Sequence, residues 1–203
     1  MTEPMPNGVR TWLLAPLRVM HAVVNELRGV VVYLVVQWPN TGLGLWARQK
    51  YWRRRTGLRN IFVGKGTDLG DCRLLVLGEN LQIGENVLFV VDGPPIGYPV
   101  FIGSNVSIAR SVYLRSGNHR FDDRTTPIVD QGHWSAKVEH NGAVYSAVID
   151  NDAWIGANVI ILSGAMVGEG SVVAAGSIIT RSTAIPPYSI AAGNPARVIS
   201  TRK

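Results

Sequence analysis

IGANVIILSGAMVGEGSVVAAGSIIT, residues 155–180, repeats in sixes. Ile155, Ile161, Val167, Val173 and Ile179 open successive hexads, and Ile149 and Ile185 carry the phase further on both sides. Neither a helix of period 3.6 nor a strand of period 2 calls for an aliphatic side chain at every sixth residue. A small or short residue follows four places after each aliphatic: Ala153, Val159, Ala165, Ser171, Ser177, Thr183 and Ser189. The residue just after the aliphatic is often Gly, Asp or Ala, as at Asp150, Gly156, Gly168 and Ala174. A chain that lays down a short strand, turns a corner and repeats has reason to do this. The aliphatic faces inward from a flat side, the small residue fits the crowded corner, and Gly, Asp or Asn tolerates the turn.

Repetition at six is the mark of a parallel β-helix. Three hexads close a triangular coil, so every third aliphatic stacks. Ile149, Val167 and Ile185 then form one ladder, Ile155 and Val173 a second, and Ile161 and Ile179 a third. A β-sandwich, the alternative for a chain rich in Val, Ile and Gly, alternates at two and has no fixed six.

Working outward, Leu77 and Ile83 begin LGENLQ and IGENVL, and the phase blurs through FVVDGPPIGYPV, residues 89–100. Ile102, Ile108 and Leu114 resume it, and residues 115–148 leave it. The expected organisation is an N-terminal tail and basic, apolar extension over 1–60, then a β-helix domain over 61–203. The domain carries an inserted loop at 115–148 and C-terminal coils at 149–199.

The chain has 203 residues, 46 % of them apolar and 17 % charged, which suits one folded core. Its single cysteine, Cys72, allows no intramolecular disulfide and no cysteine-rich zinc site, and favours a reducing compartment. The polar opening MTEPMPNGVR reads as no cleavable secretory signal. The expected location is the cytoplasm, with room for a peripheral place at the inner face of the cell membrane.

The net charge of +6 is unevenly placed. Residues 1–60 hold nine Lys/Arg against Glu3 and Glu26, and the rest holds eleven against twelve acids. A local anionic contact fits this better than a whole-protein nucleic-acid surface. Leu13, Leu17, Met20, Val24, Leu27, Val31 and Leu34 recur at helical steps over 11–37. The apolar run 29–38 is too short to span a bilayer. Pro39, Asn40, Gly42 and Gly44 break the pattern, and WARQKYWRRR, 46–55, reads as a basic helix. Two readings stand for 11–55: a helical cap on the coil and on a neighbouring subunit, or an interfacial membrane contact.

The segment DNDAWIGANVIILSGAMVGEGSVVAAGSIITRSTAIPPYSIAAGNPARVI, 150–199, and above all its end PPYSIAAGNPARVI, resembles the hexapeptide-repeat acyltransferases. The maltose, xenobiotic and polysaccharide O-acetyltransferase group is the part of that family it is most similar to. The resemblance implies a left-handed β-helix, acetyl-CoA as acyl donor, no metal, a carbohydrate acceptor, and a homotrimer with active sites between subunits. The hand comes from the resemblance alone, since parallel crossovers are generally right-handed.

The interrupting loop holds His119, His133 and His140, and begins SGNHRFDDRTTPI. Long departures from a regular scaffold are generally functional. Transfer of an acetyl group from a thioester to a hydroxyl requires the hydroxyl proton to leave, and imidazole accepts protons near neutrality. His119 matches the family's general base. Asp122 and Asp123 are the carboxylates nearest in sequence to hold its ring, with a backbone carbonyl as the alternative. The resemblance gives the Ala157 N–H to the oxyanion, and Trp154, Ala175, Thr180, Arg181, Pro195 and Arg197 to the donor. Asp92, Asn118 and His133 are candidates for the acceptor. Here the chain departs from the family: VLFVVDGPP has no Asn where the maltose-type enzymes use one, and Asp92 takes its place. His21 reads as structural.

The expected function is O-acetylation of a sugar hydroxyl in surface polysaccharide or lipid-linked glycan synthesis. Antibiotic O-acetylation and N-acetylation of a nucleotide-linked amino sugar are close variants. A non-catalytic scaffold is the alternative of another class. A zinc carbonic anhydrase would need a convergent trio of histidines, whereas His133 and His140 lie seven apart and no repeat carries one. No P-loop, dinucleotide fingerprint, HExxH or nucleophile elbow appears.

Overall fold

A computed structural model describes residues 23–181 and 183–203. From Ile61 onward the chain winds as a three-sided parallel coil. Strands Ile61–Val63, Leu81–Ile83, Ser107–Ile108, Trp154–Ile155, Val172–Val173 and Ser189–Gly193 stack as its first face. Leu88–Val90, Tyr113–Arg115, Ile160–Leu162 and Ile178–Ile179 make the second. Leu75–Leu77, Val100–Ile102, Ala147–Ile149, Met166–Val167 and Ala184–Ile185 make the third.

The ladders expected from the sixes are present. Ile149 pairs with Val167 and Val167 with Ile185, Ile155 with Val173, and Ile161 with Ile179. These side chains are buried and fill the bore of the coil together with Ile83, Phe89, Ile102, Ile108 and Leu114. The small corner residues Ala153, Val159, Ala165, Ser171 and Ser177 are buried as well. Each rung satisfies its backbone from the rung below, so the coil has no free sheet edge except at its ends.

The glycines and the turns divide the work differently from the expectation. The left-handed backbone falls three residues after the aliphatic, at Asp152, Asn158, Gly164, Gly170, Gly176 and Tyr188. Gly156 and Gly168, just after the aliphatic, answer to close approach. A Cβ on Gly156 would lie 2.6 Å from the Ala175 nitrogen, and one on Gly168 2.7 Å from that of Pro187.

The coil begins a turn earlier than the sixes revealed. Ile61 pairs with Leu81, a register two residues wider than that of Ile149 with Val167, and the surplus is taken by the Cys72–Leu74 turn. Two stretches then leave the coil, and both leave the corner between the second and third faces. The first is 91–99. The second is 116–146, somewhat shorter than the phase break, because Arg115 still pairs with Leu162 and Ala147 with Val100. It is not a bare loop: it folds into the hairpins Asn118–His119 with His133–Trp134, and Val138–His140 with Ala143–Tyr145.

Ahead of the coil, residues 23–37 are helical, and a second helix runs Gly42–Thr56. Gly42 and Gly44 belong to the start of this helix rather than breaking it. Thr41 caps it, and Gly44 leaves room for the Trp38 ring, which a Cβ would meet at 2.4 Å. Arg48, fully buried, donates to the carbonyls of Val63 and Trp38 and to Asn40 Oδ1, and Trp52 enters the core. The expected helical stretch 11–22 and His21 lie outside the described residues.

Candidate active site

The corner from which both excursions leave is held by serine hydroxyls. Ser146 Oγ accepts from the Tyr98 N–H and donates to the Tyr98 carbonyl, at 2.9 and 2.8 Å. Ser116 Oγ accepts from the Asp92 N–H at 2.7 Å. Ser135 reaches Ser146 at 2.7 Å, and Ser163 Oγ accepts from the Ala136 N–H at 2.9 Å. Ser116, Ser146 and Ser163 are fully buried. Small hydroxyls suit this corner because they satisfy loop backbone groups without needing the space of a longer side chain.

The hairpin fixed in this way carries His119. His119 pairs across with His133, and their rings are 4.2 Å apart between centroids, tilted by 40°. Both histidines are exposed, and Asn118 beside them is half-buried. Asp92 comes from the other excursion. Its Oδ2 is buried without a hydrogen-bond partner among the described residues. It lies against Gly117, where a Cβ would stand 2.2 Å away. A buried carboxylate oxygen without a donor is costly, and a ligand hydroxyl would relieve it.

Asp122 and Asp123 are engaged elsewhere. Arg120 bonds Asp122 and lowers its pKa. Hydrogen bonds from Thr126 and Thr125 hold the Asp123 carboxyl down to about 2. Neither bonds His119, so within one chain the ring is not held by the carboxylates nearest in sequence. His140 is packed away: its ring lies 4.9 Å from that of Phe101, with Nε2 3.6 Å from Asp150 Oδ2.

The residues assigned to the donor separate into two groups. Ala157 and Ala175 sit at the corner between the first and second faces, and neither N–H makes a hydrogen bond among the described residues. Trp154 is exposed on the first face, where the hairpin of Ser189–Gly193 with Ala196–Thr201 presents exposed Pro195 and Arg197. Arg181 belongs to the other corner: its guanidinium lies 4.3 Å over the Trp134 ring, on the hairpin of His119. Thr180 precedes it, its hydroxyl 3.0 Å from that of Thr183. The second face, about 10 Å of strand, therefore stands between the His119 corner and the Ala157 corner of one chain.

Trp134 was not singled out from the sequence, although a tryptophan next to a loop histidine is a signal. With Lys137, Met166 and Arg181 it lines a groove of about 590 Å³. Arg120 and Phe121 join Trp134 and Arg181 in a second groove beside it. A larger groove, about 850 Å³, lies away from this corner along helix Gly42–Thr56. No three His, Cys, Asp or Glu side chains among the described residues are grouped as metal ligands.

Residues 146–181 match the model of the bacterial transferase hexapeptide, six repeats. A protein of Mycobacterium tuberculosis named as a probable acetyltransferase is 33 % identical over 148 residues, 72 % of this chain and 46 % of that protein. The galactoside O-acetyltransferase of Escherichia coli is 39 % identical over 129 residues, 60 % of this chain and 54 % of that one. The chain thus spans about half the length of these curated relatives. A galactoside acetyltransferase solved in complex with coenzyme A superposes with a TM-score of 0.64 at 27 % identity, over 87 % of this chain and 80 % of that one. By its matched repeats, its coil and these relatives, the chain resembles the hexapeptide-repeat acyltransferases, whose coil is a left-handed β-helix.

Proposed function

We propose that the protein is an acetyl-CoA-dependent O-acetyltransferase acting on a sugar hydroxyl, in the cytoplasm, in surface polysaccharide or lipid-linked glycan synthesis. The observation that carries this reading is the corner where an exposed imidazole, His119, stands two residues after Gly117, against which lies an Asp92 oxygen without a partner among the described residues. In this reading 61–203 is the catalytic unit and 1–60 an extension.

The acceptor hydroxyl is oriented over His119, while a neighbouring hydroxyl donates to Asp92 Oδ2. Asn118 and His133 border the same space. His119 takes the reacting proton as the oxygen attacks the thioester carbonyl carbon. The Ala157 N–H, without a hydrogen-bond partner among the described residues, stabilises the charge developing on the carbonyl oxygen. The carbon–sulfur bond breaks, the proton passes from His119 to the departing sulfur, and the products are an acetyl ester and the free thiol. Trp154, Ala175, Thr180 and Pro195 would line the donor's length, with Arg181 and Arg197 at its phosphates.

His119 and Ala157 stand on different corners of one chain. The wall of one copy facing the loop of the next brings them together, as in a homotrimer. Phe121, Ile128 and Val129, exposed on the loop, suit contact with another copy.

Purified protein, acetyl-CoA and a panel of free sugars and lipid-linked glycans test the reading. Acceptor-dependent thiol release with an acetylated product is expected. Release with amino-sugar nucleotides or antibiotics alone would move the acceptor to those classes. No release with any acceptor, together with no coenzyme A binding, would leave a scaffold.

A further inference from the structure

The larger groove and the two N-terminal helices are not used by the acetyl-transfer reading. Helix Gly42–Thr56 is two-sided. Gly44, Arg48 and Trp52, at steps of four, face the coil and are buried. Leu43, Trp46, Lys50, Arg53 and Arg54 follow the opposite stripe and are exposed, Leu43 at 62 % and Trp46 at 58 %. Lys50 Nζ stands 4.8 Å from the Trp46 ring centroid. The groove lined by Leu45, Trp46, Lys50, Arg53, Arg54 and Arg59 therefore has an apolar body and a cationic rim.

The helix at 23–37 adds a second, independent feature. Val23, Leu27, Val30, Val31 and Leu34 recur at steps of three and four, and each is more than half exposed. A soluble surface seldom leaves such a stripe uncovered. No helix among the described residues is long and apolar enough to cross a membrane.

Charge decides between the two occupants that would cover this surface. Over 23–59 the basic residues are Arg28, Arg48, Lys50, Arg53, Arg54, Arg55 and Arg59, against Glu26 alone. A second copy meeting it by the same face would bring the same positive charge, and the rest of the chain, with eleven basic against twelve acidic residues, offers no strong negative charge in return. An anionic lipid surface brings the opposite charge, takes the apolar stripe into its acyl boundary, and seats Trp46 at the headgroup level. We propose that residues 23–59 dock the protein on the surface of an anionic lipid bilayer, lying in the interface without spanning it. The exposed stripe of Gly42–Thr56 supplies the phosphate contacts, and the apolar stripe of 23–37 the insertion. This goes beyond the acetyl-transfer reading and does not depend on it.

Co-sedimentation of the full chain with phosphatidylcholine vesicles, with and without phosphatidylglycerol, tests the proposal without donor or acceptor. Binding to the phosphatidylglycerol vesicles at low salt is expected, with release as salt rises. Arg53→Gln/Arg54→Gln, at exposed positions, should weaken binding about thirty-fold, taking the usual contribution of a surface basic residue. Leu27→Asp/Val31→Asp should abolish it, with circular dichroism confirming the fold of both variants. No binding at low salt, or equal binding to vesicles of both kinds, would overturn the proposal. So would a Leu27→Asp/Val31→Asp variant that still binds vesicles but dissociates a soluble oligomer, which would assign the stripe to a second copy.

Discussion

Asp92 is the residue on which the acceptor reading can be made quantitative. Its buried Oδ2 has no hydrogen-bond partner among the described residues, so the carboxylate costs the folded chain rather than supporting it. Asp92→Asn, which removes the buried charge, is expected to hold or raise the thermal midpoint and to raise KM for the acceptor about ten-fold, the scale of one lost hydrogen bond to a charged group. Steady-state kinetics against acceptor, at saturating acetyl-CoA, checks it; an unchanged KM would remove Asp92 from the acceptor site. Ile161 carries the corresponding test of the core. It is fully buried between Leu114 and Ile179, so Ile161→Ala should cost about 2–5 kcal/mol in denaturant unfolding. Turn chemistry was only partly legible at this scale. The sequence pattern marks Gly156, where backbone crowding explains the glycine, but passes over Gly176, where a positive φ does.

The ladders could be read in advance because a strict six leaves each inward aliphatic no other place to go. The first turn of the coil could not, because its wider register hides the phase. The hairpin of Asn118–His119 with His133–Trp134 was equally hidden. Its strands are too short to show an alternation, and it is held from outside by the corner serines. That attachment is testable. Ser146→Ala removes the hydroxyl that serves both Tyr98 backbone groups and Ser135. Leaving those groups buried and unpaired should cost about 1–3 kcal/mol. Hydrogen exchange should then quicken in 91–99 and 116–146 with little change in the coils at 149–180. Uniform quickening throughout the coil would show that the serine supports the whole domain.

At the scale of the molecule, the residues of the proposed reaction fall at two corners. His119, Asp92 and Arg181 belong to one, and Ala157, Trp154 and Arg197 lie around the other. The residue types were legible in the sequence and the resemblance implied sites between subunits, but a six-residue repeat does not say which corners a neighbouring copy will bring together. Co-refolding an inactive His119→Ala chain with an inactive Arg197→Glu chain should restore part of the activity if sites form between copies. Mixing without recovery would place each site within one chain.

The central claim is that His119 removes the acceptor's proton. Acceptor-dependent thiol release from acetyl-CoA by His119→Ala, beside wild type, tests it most directly, with coenzyme A binding measured on the same samples. The account predicts a fall of about 10²–10⁴ in kcat with donor affinity retained, the range for loss of a general base. A His119→Ala protein that turns over at the wild-type rate would contradict it.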